Sequence, residues 1–172
     1  MDKLDIVTDE SGNEVVLLPE IIFSNKQNIN WNDVEDYLGK YVGELIEIAE
    51  TRDIIYIGNK FPDEYGGSSY TRKTKGARAK AKANAAQGIR EMVEIATDKV
   101  YRENHKEKHS EDAHNGWFYY VTRFAIPLYN NEKKTGEVSL QPKTLKEPIK
   151  GELSLFPESP VFLTVSCRGE SA

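Results

Sequence analysis

The sequence predicts a small α+β domain, with two to four helices packed on a small, mainly antiparallel sheet and a poorly ordered C-terminal tail. Three observations carry this. Short β-branched and aromatic runs are separated by turn residues. Between them lie segments with apolar residues at helical spacing. Four of the seven prolines fall between Pro142 and Pro160, which marks the last part of the chain as a tail. A chain of 172 residues, 38% hydrophobic and 30% charged, suits one domain with a single core.

Residues 1–19 form an N-terminal arm. Acidic and turn residues (DESGNE) precede the apolar run Val15–Leu18 and Pro19, so a short strand or docking segment is expected there. Ile21–Phe23 offers a second short strand. Asn30 is a good N-cap, and Val34, Tyr37, Leu38, Tyr41 and Val42 recur at helical spacing, giving an amphipathic helix over 32–42. Leu45–Ala49 and Ile54–Ile57 flank the polar run Glu50–Asp53 and read as a β-hairpin, with a helix over 43–50 as the alternative. Residues 59–71 hold a proline and two glycines and read as a surface loop, a candidate lid. From Lys73 to Gln87 alanines dominate and favour a helix whose lysines point to solvent. Gly88 is expected to end it, and a further helix over 89–104 presents Met92, Val93, Ile95, Ala96 and Val100 to the core. Trp117–Tyr129 is the clearest strand. The compact domain is placed at 20–130 and a Pro-rich tail at 131–172, with one added strand at VFLTV, 161–165.

Net charge is −5, yet it is unevenly spread. Residues 1–50 hold 3 basic and 12 acidic groups, whereas residues 71–90 hold 7 basic groups and no acidic one. A basic island on an acidic body suits one anionic partner at one place. Lys75, Arg78, Lys80 and Lys82 are therefore the expected nucleic-acid contacts, against the plainer reading of a solvated helix surface. No apolar run reaches the roughly 18 residues of a membrane span and the N-terminus is acidic, so a cytoplasmic protein without a membrane partner is expected. The single cysteine, Cys167, has no metal-ligand spacing around it and cannot form an internal disulfide.

All three histidines lie in HKEKHSEDAHNGWFYYVTR, residues 105–123. On a continuing helix His105, His109 and Asp112 would share a face and, with His114, could hold a metal. The glutamate of the HExxH arrangement is missing, however, and no metal or other cofactor is expected. Acid–base chemistry on RNA is the alternative: His109 oriented by Asp112, with Tyr120 nearby and Arg123 gripping phosphate oxygens. The plainer reading has His109 and Asp112 pairing locally and Trp117, Tyr119 and Arg123 packing on one strand face. Aromatics at 117–120 could also stack bases, although strand alternation sends only half of them to one face. P-loop and dinucleotide fingerprints are absent.

The successive pieces IIYIG-x-x-FPDEY-x-x-S-x-YT (54–71), KGA-x-AKANAAQGI-x-EM-x-EIAT (75–97) and KH-x-x-DA-x-x-GW-x-x-Y-x-x-RFA-x-P (108–127) resemble a domain of the large polyvalent proteins of phages and conjugative elements. Modules of these proteins in turn resemble toxin-type nucleases of the barnase, EndoU, colicin and RelE group. The resemblance implies a mobile-element accessory domain and a metal-independent RNase. It singles out Lys108, His109, Asp112, Trp117, Tyr120, Arg123 and the Lys75–Met92 segment, and leaves out His105 and His114. Related chains continue into another strand pair with a histidine, which has no counterpart after Asn130 here. A non-catalytic module that binds nucleic acid or a host defence protein, or a truncated inactive copy, is the rival expectation.

Overall fold

The computed structural model describes residues 3–24, 28–103, 117–126, 150–156 and 159–166. They form a mixed α+β fold in which helices cover small, mostly antiparallel sheets, as the sequence predicts. Strands β1 (Ile6–Thr8) and β2 (Glu14–Leu17) make an antiparallel hairpin. Its turn is built by Asp9, whose Oδ1 accepts the backbone N–H groups of Ser11 (2.9 Å) and Asn13 (2.8 Å), and by Gly12 at φ +84°. Val16 and Leu18 are buried in the one core cluster. The boundary expected at residue 19 is thus not one, because the N-terminal arm is part of the core. Gly88 permits this: a Cβ there would lie 3.1–3.3 Å from Leu18, Val16 and Leu4.

Helix α1 (Trp31–Leu38) starts at the expected cap, with Asn30 Oδ1 accepting the Asn32 N–H, and continues as one 3₁₀ turn over Gly39–Tyr41. It buries Trp31, Val34, Leu38 and Tyr41. The hairpin of β3 (Leu45–Glu47) and β4 (Ile54–Tyr56) forms as read, in the register Ile46↔Ile55. Alternation puts Ile46 and Ile55 inside and Leu45, Ile54 and Tyr56 outside.

The loop expected over 59–71 is instead helical, as α2 (Phe61–Gly67) and α3 (Ser69–Lys73). Pro62 fits the first turn of α2, and Phe61 and Tyr65, one helical turn apart, are both buried. Ser68 Oγ accepts the Thr71 N–H and starts α3, so the serines are caps rather than loop filler. Helix α4 spans Gly76–Ala85, and a 3₁₀ turn over Ala86–Gly88 leads directly into α5 (Ile89–Glu94).

The helix expected over 89–104 is shorter. It stops at Glu94, and Thr97–Arg102 form strand β5. Met92, Val93, Ile95 and Ala96 are buried as expected, but Val100 is 49% exposed. β-Branched and aromatic residues at 97, 100 and 101 favour the strand, and a bulge with Asp98 at φ +57° breaks its regularity.

Strand β6 (Trp117–Thr122) pairs antiparallel with β5 and with β8 (Lys150–Phe156), which pairs in turn with β9 (Ser159–Ser166). After Arg123 the chain changes sheets, and β7 (Phe124–Ala125) runs parallel to β2. The segment expected as a tail therefore holds two strands within its described residues, where one was anticipated. No helix among the described residues is long and apolar enough to cross a membrane.

Candidate nucleic-acid interface

Helix α4 has two unlike ends. Its C-terminal half is buried on every side: Ala81, Lys82, Ala83, Asn84 and Ala85 are all core residues, and the small alanines let neighbouring elements approach closely. Two polar side chains anchor this end to the N-terminal segment. Asn84 Oδ1 accepts the N–H groups of Ile22 (2.9 Å) and Phe23 (3.1 Å), and its Nδ2 donates to Phe23 O (3.0 Å) and Lys80 O (2.8 Å). Gln87 Nε2 donates to Glu20 O at 2.9 Å. Asn84 thus treats residues 22–23 as a neighbouring strand would.

The N-terminal end of α4 projects to solvent. Lys73, Lys75 and Arg78 are exposed and Lys80 is half-buried. These four make no ion pair or ring contact among the described residues. Elsewhere cations are engaged: Lys3 with Glu94, Arg52 with Glu47, Arg90 with Glu44 and Glu94, and Lys99 with Asp53, while Lys40 lies over the Tyr37 ring. Arg72, next to Lys73, pairs with Glu35 at 3.3 Å. Among the described residues, the positive charge free for an external partner is therefore concentrated in residues 73–80, where the basic run of the sequence predicts it.

Lys82 is the exception and a correction. Only 4% exposed, it donates from Nζ to the buried Thr71 Oγ1 and lies over the Tyr65 ring, 4.9 Å from its centroid. Its position on the buried half of α4 turns it inward, so it offers nothing to a backbone phosphate.

A second polar cluster joins the β3–β4 turn to β5 and β6. Asp53 Oδ2 accepts from Tyr120 Oη, from Thr51 Oγ1 at 2.6 Å and from Lys99 Nζ at 2.7 Å. Glu50 Oε2 accepts the Asp98 N–H at 3.0 Å. Burial opposes the Asp53 charge, but the hydrogen bonds from Lys99, Thr51 and Tyr120 outweigh it and hold the carboxyl below its usual range. Burial, reinforced by the Asp53 carboxylate, pushes the Tyr120 phenol far above its ordinary value. Every group is satisfied within the cluster, so it reads as a clasp between sheets. Asp53, Thr51 and Lys99 lie up to 48 residues apart and share no motif, so no sequence signal points to them as a group.

The chain matches no protein-family model, no curated protein and no solved structure.

The catalytic set expected from the sequence is placed only in part. His109 and Asp112, with His105 and His114, lie outside the described residues. Tyr120 and Arg123 do not share a neighbourhood. Tyr120 is buried with its hydroxyl on Asp53, so it is not a free acid or base. Arg123 is half-buried at the switch from β6 to β7, and its backbone carbonyl accepts the Val16 N–H at 3.0 Å. Its buried Nε has no hydrogen-bond partner among the described residues. Hydrogen bonds from Asn13 and Ser11 hold the Asp9 carboxyl below its usual range, and the Arg123 charge adds to that. Among the described residues no group of three or more His, Cys, Asp or Glu is placed to hold a metal ion.

Proposed function

We propose that this chain is a nucleic-acid-binding accessory domain of a phage or conjugative element, acting in the cytoplasm and gripping the sugar–phosphate backbone through Lys73, Lys75, Arg78 and Lys80. The observation that carries the reading is the concentration of unpaired cations from the end of α3 into the first half of α4, while the other described cations are largely engaged inside the molecule. The likeness of residues 54–127 to modules of polyvalent proteins supports the setting. Phosphate contacts of this kind supply affinity without reading sequence. The test is anisotropy titration of a labelled 20-nucleotide RNA in EDTA, with the intact chain and with Lys73, Lys75, Arg78 and Lys80 all changed to Ala. Loss of binding in the substituted chain is expected, and equal binding by both contradicts the reading.

Metal-independent RNA cleavage is the second reading, favoured by the Arg123 Nε that lacks an acceptor among the described residues. In it His109 takes the 2′-hydroxyl proton as the 2′-oxygen attacks phosphorus, Asp112 orients that histidine, Arg123 stabilises the phosphorane, and the P–O5′ bond breaks as the His109 imidazolium or water protonates the leaving oxygen. Cleavage of RNA in EDTA that disappears in His109→Ala supports it, and an unchanged rate removes His109 from the mechanism.

A further inference from the structure

Arg72 lies in the same basic run as the four free cations but is not free. It closes α3 beside Lys73, three residues before Lys75, and its Nη2 sits 3.3 Å from Glu35 Oε1 of α1. The arginine side chain is 51% exposed and the glutamate only 21%. Glu35 reaches this position because α2 has no side chain at residue 66. A Cβ on Gly66 would fall 2.6 Å from Glu35 Oε1 and 2.7 Å from Glu35 Cγ. Gly66 therefore acts as a slot for the carboxylate.

We propose that Arg72 is a fifth phosphate contact of the cationic face, withheld by Glu35, which caps the strength with which this domain holds nucleic acid. The proposal rests on the nucleic-acid-binding reading above. Arg72 alone among the basic residues of 72–80 is held by a carboxylate. The pair is a single long contact at a half-exposed site, a geometry of small intrinsic worth. What keeps it closed is the cost of opening it. A phosphate that took Arg72 would leave the partly buried Glu35 carboxylate without its counter-charge, with Asp63 and Asp36 of the same sign nearby. Burial already pushes the Glu35 carboxyl above its usual range, with Arg72 pulling it back. Exchange of carboxylate for phosphate at Arg72 is thus opposed in the native chain, and it becomes favourable once the glutamate charge is removed.

The experiment is salt-dependent anisotropy with the same RNA, using the intact chain, Glu35→Gln, Arg72→Ala and the double variant. Gly66→Ala is added because its Cβ displaces the carboxylate without touching either charge. Each single-strand phosphate contact adds about 0.7 to the slope of log Kobs against log salt. Glu35→Gln and Gly66→Ala are expected to steepen the slope by about that amount and to tighten binding about two- to fivefold, the range of a released surface ion pair. Arg72→Ala is expected to leave the native affinity nearly unchanged and to abolish the gain in the double variant. A Glu35→Gln chain with the native slope, or a gain that survives Arg72→Ala, overturns the latch while leaving the four-cation face intact. Absence of salt-dependent binding in every chain overturns both.

Discussion

Replacing Asn84 by Ala tests how the buried end of α4 is held. The substitution removes four hydrogen bonds of 2.8–3.1 Å, two accepted from the N–H groups of Ile22 and Phe23 and two donated to Phe23 O and Lys80 O, and a longer fifth one accepted from Gln87 Nε2 at 3.4 Å. Each such bond is worth about 0.5–1.5 kcal/mol net, and orphaned groups cost more when water cannot reach them. Residues 22 and 23 are only partly covered and can rehydrate, so the lower half of the sum applies, about 3 kcal/mol. For a chain of this size that is a fall in Tm of about 6–12 °C. Differential scanning calorimetry reads it, and hydrogen exchange should show the Ile22 and Phe23 amides losing protection first. A drop under about 2 °C, well below that range, would mean that Asn84 does not bind residues 22–23 as described.

Lys82→Met should leave the salt slope for RNA unchanged, because the ammonium group faces Thr71 and not solvent; a slope flatter by about 0.7 would return Lys82 to the phosphate-contacting set. Tyr120→Phe removes one of three bonds to the Asp53 carboxylate and should lower stability by about 1.5 kcal/mol, the low end for a bond to a charged group, seen as a shift in urea midpoint at constant m-value. Burial holds the phenols of Tyr120 and Tyr41 far above their ordinary value. Their contribution is complete below the unfolded pKa near 10 and is lost as pH rises beyond it, so alkaline unfolding should begin above about pH 10 and be blunted in Tyr120→Phe. Asp53, held low, has the opposite dependence: its contribution is present above about pH 4 and is lost as pH falls through the folded value.

Local signals in the sequence were reliable where one residue type does one job. Asn30 caps α1, the Ile-rich arms flank a polar turn and pair, and the alanine run is helical. Misreadings arose where composition has two meanings. Gly66 and Ser68 look like loop residues, but the glycine makes a slot for Glu35 and the serine caps α3. Residues 95–102 carry helical spacing that tertiary pairing with β6 overrides. The basic run was legible as charge. Its division into four free cations, two paired arginines and one buried lysine depends on which end of α4 enters the core, and the spacing of lysines among alanines does not encode that. The Asp53 cluster spans three separate segments, so no local pattern announces it.

The most direct test of backbone gripping is the salt dependence of RNA binding by the unmodified chain. Four phosphate contacts predict a slope of about −2.8 for single-stranded RNA, or a loss of about 50-fold in affinity between 50 and 200 mM salt. A slope near that value, cut toward zero when Lys73, Lys75, Arg78 and Lys80 are replaced by Ala, is the expected result. Binding that is indifferent to salt, or no binding at 50 mM, would contradict it.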